Sequence, residues 1–188
     1  MITLREVIQS LYGAYRLARI DPSGLDFFEA TIAGFWRSFF AAVIVAPFYL
    51  ILLMIRYSAL QYQVSAFRFY AIEMIMYVIA WLFFPVVIWT VIQAFGRGQH
   101  FIRYIVAYNW AAVLQNALYL PIVILGMSGM LSPMAANILA LFALSLIVVY
   151  TWFITRTALD VAVGQAAGIV GLDFFISIII NAVAESRL

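Results

Sequence analysis

Apolar side chains recur every three to four residues in the first eighteen positions of the chain, which is the spacing of an amphipathic helix. The apolar positions are Leu4, Val7, Ile8, Leu11, Tyr15 and Ala18. Thr3 and Glu6 match a capping box at the start of this helix. Arginines flank the apolar stripe, which is typical of a helix that lies at a membrane surface. The alternative is that the stripe packs against membrane helices.

A turn is predicted at residues 21–24, where aspartate, proline and glycine occupy the positions that a type I turn favours. A new helix is expected to begin near Leu25 and to enter the bilayer. Beyond it, five apolar runs have the length of about 20 residues that a transmembrane helix needs. We predict spans at Phe35–Met54, Tyr70–Phe95, Phe101–Met127, Met134–Thr155 and Val161–Ala184.

The predicted fold is an all-α, polytopic bundle of about five transmembrane helices. An interfacial amphipathic segment occupies residues 1–34, and the transmembrane domain occupies residues 35–188. The composition favours the same fold, since 68% of the residues are hydrophobic and 10% are charged. Soluble domains contain about 45–50% apolar and about 25% charged residues. A soluble domain of this length has too small an interior to bury so many apolar side chains.

The basic residues are all arginine, with no lysine, which indicates a GC-rich coding sequence and a bacterial inner-membrane protein. Seven of the ten arginines fall on the side of the N-terminus in a five-span topology, and this places the N-terminus in the cytoplasm. The glycines and the aspartate of the fifth span lower its hydrophobicity. If that span did not cross, the C-terminus would be cytoplasmic too.

Several function classes are excluded by residue content. The chain has no cysteine and one histidine, His100, so thiolate sites and multi-histidine metal clusters are not expected. The motifs of serine hydrolases, P-loop proteins, zinc peptidases and dinucleotide-binding folds are missing. The net charge of +2 is too small to indicate a nucleic-acid partner. We predict a protein that is not an enzyme and that uses no metal or cofactor.

Polar side chains inside the predicted spans are the candidate functional residues, because each is costly in hydrocarbon. Asp173 falls near the centre of the fifth span, and Gln115 and Asn116 fall near the middle of the third. Their similar depth permits a buried cluster in which the two amides donate hydrogen bonds to the Asp173 carboxyl. This cluster has two possible roles. It is either a site for a proton or cation on a transport path, or a set of hydrogen bonds that only holds helices together. Glu73 lies near the outer end of the second span, where we expect it to reach headgroup water.

Small residues form one face of the fifth span. Gly164 and Gly168 make a GxxxG motif, which Gly171 extends. Such a face lets another helix approach closely. It predicts close packing either within the protein or in a homodimer.

The chain between the second and third spans carries a further pattern. Residues 94–126 read AFGRGQHFIRYIVAYNWAAVLQNALYLPIVILG: a glycine-containing turn, then F-x-R-Y, then a helix with a polar patch at mid-span. This arrangement, with five spans and a cytoplasmic N-terminal segment, resembles bacterial proteins of the Yip1-domain family. The chain lacks the DLYGP-type segment of the eukaryotic members. The resemblance implies self-association and a membrane-organising or unknown role, and it transfers no functional residue.

The leading expectation is a non-enzymatic, Yip1-like membrane protein that acts through helix packing and assembly. Its partners would be the lipid bilayer and a second copy or another membrane protein, and not nucleic acid. The alternatives are a small transporter or channel that uses Asp173 with Gln115 and Asn116, and an accessory subunit of a membrane complex.

Overall fold

The computed structural model of the chain describes residues 2–59 and 64–187, and every regular element within those ranges is a helix. The α-helices are α1 (Leu4–Ala18), α2 (Ile32–Ser38), α3 (Phe40–Ala59), α4 (Ala66–Ala94), α5 (Phe101–Met127), α6 (Pro133–Leu159) and α7 (Val163–Arg187). Two 3₁₀ helices, Pro22–Phe27 and Gly98–His100, lie between them. The predicted all-α bundle is confirmed.

Five segments of the described chain are long and apolar enough to cross a membrane. They are Ile32–Ala59 (α2 with α3), Ala66–Ala94, Gly98–Met127, Pro133–Leu159 and Val163–Arg187. Each overlaps its predicted span. A proline lies inside each of α3, α4 and α5, and none of the three helices ends there. Neighbouring helices and side chains satisfy the backbone groups that a proline frees in such a setting.

The fifth span runs the full length of the bundle. At one end, the indole N–H of Trp152, in the last two turns of α6, donates to the Val163 carbonyl at the start of α7 (3.3 Å). At the other end, the Arg68 guanidinium, near the start of α4, donates to the Arg187 carbonyl at the end of α7 (2.7 Å). Despite its glycines and its aspartate, α7 therefore passes from one end of the bundle to the other.

The amphipathic helix α1 begins with the predicted capping box. The Glu6 backbone N–H donates to the Thr3 hydroxyl (3.2 Å), and the Thr3 backbone N–H donates to the Glu6 carboxylate (2.7 Å). The helix is anchored to the bundle by Tyr150, whose hydroxyl donates to the Ala14 carbonyl (2.7 Å). The buried positions of α1 are mostly small: Ser10, Gly13, Ala14 and Leu17.

The large apolar side chains of α1 point mainly away from the bundle. Leu4 is 75% exposed, Ile8 58% and Tyr15 49%, while Val7 and Leu11 at the edge of the stripe pack against the core. Of the two interpretations of the stripe, the structure therefore favours the one in which most of it faces the surroundings of the protein. Small residues occupy the buried face because they allow close approach of the α1 backbone to its neighbours: a Cβ at Gly13 would lie 2.7 Å from the Gly24 carbonyl oxygen of the 3₁₀ segment.

The prediction of one helix that begins near Leu25 and enters the bilayer is wrong, because the helix is interrupted before the first span. The predicted turn is present: the Gly24 N–H donates to the Asp21 carbonyl (3.1 Å). This turn is the first part of the 3₁₀ helix that ends at Phe27. Helix α2 begins only after Thr31, whose hydroxyl accepts from the Gly34 N–H (3.0 Å). A threonine in this capping position satisfies a free N–H at a new helix start, and this local bond competes with a continuous helix.

Helix α5 is the centre of the bundle and packs against α1, α2, α3 and α6. Helices α4 and α7 pack against each other on the other side, and α4 touches α5 only slightly. This arrangement leaves a space between α5 and the α4–α7 pair.

Candidate functional site

A cavity of about 310 Å³ lies in the space bounded by α3, α4, α5 and α7. The polar side chains of its lining are Tyr49, Glu73, Tyr77, Tyr108, Gln115, Asn116, Ser177 and Asn181. The exposed members of the lining include Ala80 on α4 and Ser177 and Asn181 on α7. The cavity therefore opens between α4 and α7. We call it the polar cavity.

The helices present these groups at intervals of three to four residues, as one face of a helix requires. On α4, Glu73, Tyr77 and Trp81 follow one another at intervals of four. On α7, Ser177 and Asn181 continue the face that begins with Asp173. Each of these helices therefore carries its own polar or aromatic stripe towards the cavity.

Glu73 is the buried carboxylate of the polar cavity. The prediction that it reaches headgroup water is wrong, because its side chain is covered by the protein. Its side chain is 3% exposed and lies 2.9 Å from the guanidinium of Arg56, which is 30% exposed. The Tyr49 hydroxyl donates to the other carboxylate oxygen (2.8 Å). Within the described residues the oxygen facing Arg56 accepts no well-aligned hydrogen bond, so that contact is an ion pair. The last turn of α3 covers Glu73, and the position of Glu73 along α4 alone did not reveal this.

Two tyrosines form an aromatic wall beside Glu73. The rings of Tyr49 and Tyr77 stack with their centroids 4.8 Å apart and an angle of 22° between the planes. The Tyr77 hydroxyl donates to the Ala42 carbonyl of α3 (2.7 Å). Because both hydroxyls are engaged and the rings are stacked, this wall is held in place.

Asp173 lies behind the wall of the cavity. Its carboxylate accepts a hydrogen bond from the hydroxyl of Tyr108 (2.8 Å), and Tyr108 itself lines the cavity. The Tyr108 ring stacks on Phe84 of α4 with their centroids 4.5 Å apart. The partner of Asp173 on α5 is thus a tyrosine, held in position by α4.

The cluster in which Gln115 and Asn116 donate to Asp173, which their similar depth permits, does not form. The Gln115 amide donates to the Thr151 hydroxyl of α6 (3.0 Å), and the Asn116 amide donates to the Ala112 carbonyl of its own helix (2.8 Å). Asp173 meets α5 at Tyr108, seven residues before Gln115, which is about 10 Å of helix. Even so, Gln115, Asn116 and Glu73 line one cavity, so the structure brings three of the four predicted polar residues together.

Other polar groups of the bundle pair with one another across helices, although the Asn109 side-chain oxygen accepts no hydrogen bond within the described residues. The hydroxyls of Tyr104 and Thr155 form a hydrogen bond (3.2 Å), and the Asn109 amide donates to the Ser38 hydroxyl (2.9 Å). Both pairs join different helices, and Asn109 is 1% exposed. They are interhelical hydrogen bonds of the kind that stabilises membrane bundles.

The glycine face of α7 does not pack inside the described part of the chain. At Gly164, Gly168 and Gly171, an added Cβ would have no atom within 4 Å apart from its chain neighbours and the backbone of its own helix. Of the two predicted uses of this face, close packing within the protein is therefore not found in the described residues, and the face points outward. Beside it, Gly171 lines a shallow apolar groove with Trp152 and Phe174.

Sequence reasoning missed the tyrosines of the site, Tyr49, Tyr77 and Tyr108. Their residue type alone gave no signal, because tyrosine is common in membrane proteins, above all in the aromatic belt. The available signal was spacing, since Tyr77 follows Glu73 by four residues and Ser177 follows Asp173 by four. In the described part of the chain, no group of three or more histidine, aspartate or glutamate residues is placed to hold a metal ion.

Comparisons with protein-family models, with curated proteins and with solved structures find no match to this chain. The resemblance to the Yip1-domain family stays a prediction that rests on residues 94–126 and on the five-span pattern.

Proposed function

We propose that the protein is a multi-pass membrane protein that binds a small polar solute in the polar cavity, as a small transporter or channel would. The observation that carries this proposal is an unfilled space of about 310 Å³ lined by a carboxylate, amides and hydroxyls at membrane depth. Ligand pockets begin at about this size and combine apolar walls with a few placed polar groups.

The cavity also distinguishes this function from a purely structural role of the polar residues. Polar groups that only join helices pair directly with each other, as Tyr104 does with Thr155. At the cavity, Asn116 donates only to its own helix and Glu73 needs an arginine from the last turn of α3. Polar side chains at membrane depth are costly, and those that line a cavity usually mark a substrate or ion pathway.

We further propose a bacterial inner membrane as its location, with the N-terminus in the cytoplasm. The support is the distribution of the arginines, seven of which fall on the N-terminal side of the five-span topology. The lack of catalytic motifs supports a function without enzymatic chemistry.

Single-cysteine labelling tests the proposed function, because the natural chain has no cysteine. Ala112 lines the cavity on α5, whereas Ala117 on the same helix is exposed outside it. In proteoliposomes, a membrane-impermeant, charged methanethiosulfonate should modify Ala112→Cys and leave Ala117→Cys unmodified. If the reagent modified neither cysteine while the purified protein was folded, this result would contradict a water-accessible cavity.

A second candidate function is assembly through the glycine face, because its three glycines face outward with open space beside them. Close helix approach needs such small residues. Gly168→Leu should reduce the crosslinked dimer in a bilayer, whereas Ala117→Leu, at an exposed position of another helix, should not. An unchanged dimer fraction in Gly168→Leu would rule out this face as the interface.

A further inference from the structure

The acidic and basic side chains of the bundle are unevenly placed along the membrane direction. In the described residues, the charged side chains at least seven residues from both ends of a candidate span are Glu73 and Asp173, both acidic. The arginines of the spans all lie nearer to a span end. The interior around the polar cavity is therefore biased towards negative charge.

Only one of the two carboxylates has a cationic partner. Glu73 is paired with Arg56, which reaches it from the last turn of α3. The ion pairs of the described chain do not include Asp173, whose side-chain partner is the neutral hydroxyl of Tyr108. An ionised carboxylate in an apolar interior is costly unless a positive charge lies close to it. Asp173 thus has no resident counter-charge in the described residues, and a cation bound beside Tyr108 would stabilise its ionised form.

The walls beside this charge are aromatic. Tyr49, Tyr77, Trp81 and Tyr108 all line the cavity. The centroids of the Tyr77 and Trp81 rings lie 6.2 Å apart with an interplanar angle of 63°, so the lining contains ring planes in different orientations. The negative face of an aromatic ring attracts an organic cation, and the attraction grows when the cation is removed from water.

We propose that the polar cavity binds a small organic ammonium ion, for which Asp173 supplies the counter-charge and the aromatic wall supplies cation–π contacts. This inference rests on the proposed function and names the class of its solute. The amides of Asn116 and Asn181 and the hydroxyl of Ser177 line the same space and offer oxygen acceptors to the N–H or O–H groups of such a ligand.

Other solute classes fit the site less well. An anion would enter a space with one carboxylate in its wall, a second carboxylate directly behind Tyr108, and one guanidinium that is already paired. A bare metal ion would fill little of about 310 Å³, and the described residues hold no cluster of metal-ligating side chains. Size, charge and aromatic content together favour an organic cation of a few heavy atoms.

The first test measures charge selection at Ala112→Cys. Modification by the cationic trimethylammonioethyl methanethiosulfonate is compared with modification by the anionic sulfonatoethyl reagent, each relative to its rate with a free thiol. We expect the cationic reagent to be favoured by about tenfold, given one uncompensated charge and aromatic walls in a partly desolvated site. Asp173→Asn should abolish the preference and Asp173→Glu should keep it. Glu185→Gln, which removes an acid at the end of the same helix, should leave it unchanged.

The second test is protection of the same cysteine by ligands. The probes are tetramethylammonium, choline and the neutral isostere of choline, dimethylbutanol, in which a tert-butyl group replaces the trimethylammonium. Either ammonium should slow labelling severalfold at a concentration at which the neutral isostere does not.

The results separate the inference from the proposed function. Labelling that shows no preference for the cationic reagent and no protection by either ammonium overturns the inference, while the water-accessible cavity stands. Equal protection by the neutral isostere, or full protection in a folded Asp173→Asn variant, overturns it too. A cysteine that neither reagent modifies contradicts the proposed function itself.

Discussion

The ion pair between Arg56 and Glu73 predicts an asymmetric response to mutation. Glu73 is almost fully buried, whereas Arg56 is 30% exposed and lies three residues before the end of α3. At 2.9 Å, two unit charges attract each other by about 6 kcal/mol for an effective dielectric constant of about 20. The cost of removing water from Glu73 offsets part of this attraction. The net effect of a mutation therefore depends on which partner remains.

Arg56→Met leaves a buried carboxylate without a counter-charge. Loss of one partner of a buried pair typically costs about 3–5 kcal/mol, and we expect the lower end here because Arg56 is partly solvated. Glu73→Gln should cost only about 1 kcal/mol, since glutamine still accepts from Tyr49 and the freed guanidinium can extend to interfacial water. In the double variant, the second substitution should cost about 2 kcal/mol less than it does alone.

The assay is reversible unfolding of the detergent-solubilised protein, with the free energy of unfolding measured for both single variants and the double variant. Arg5→Met provides the matched control, because Arg5 is exposed on α1; its effect should stay within about 0.5 kcal/mol. Equal costs for Arg56→Met and Glu73→Gln, or strict additivity in the double variant, would refute this account of the pair.

Three further predictions concern other parts of the structure. Tyr108→Phe removes the hydrogen bond to Asp173 and should lower the free energy of unfolding by about 1–3 kcal/mol; a neutral effect in the same unfolding assay would show that water replaces the hydroxyl. Gly24→Ala places a Cβ 2.5 Å from the Gly13 carbonyl oxygen. The 3₁₀ segment should therefore separate from α1 and become sensitive to limited proteolysis. An unchanged cleavage pattern would contradict this close contact. Hydrogen bonds from the capping threonine, and more weakly a nearby guanidinium, hold the pKa of Glu6 below its ordinary value of 4.5. The resulting stabilisation is complete above pH 4.5 and is lost as the pH falls through the folded-state pKa of Glu6. The difference in melting temperature between wild type and Glu6→Gln should therefore vanish in acid. A difference that does not change with pH would contradict this prediction.

The helical architecture was predictable because the bilayer imposes it. A membrane span needs length and apolar side chains, and both are properties of a single segment. The capping box at Thr3 and Glu6 is predictable for the same reason, since its partners lie three residues apart. The break before α2 was missed because a turn, a 3₁₀ helix and a new cap at Thr31 follow one another within a few residues.

The details of the site depend on relations between helices, which no single segment encodes. Depth along each span suggested that Asp173 meets Gln115, but α5 and α7 are offset so that Tyr108 lies there instead. Glu73 looked accessible from its position on α4, and Arg56 of another helix covers it. The GxxxG motif predicts that a helix can be approached closely, without stating whether the approaching helix belongs to the same chain.

The central claim is that α3, α4, α5 and α7 enclose a space that polar solutes enter. A cryo-EM map of the protein in a lipid nanodisc, at a resolution that shows ordered water, tests it most directly. We expect density for water or a bound solute between Glu73, Asn116 and Asn181, within hydrogen-bond distance of their side chains. A map in which the four helices close on one another and apolar side chains fill this space would contradict it.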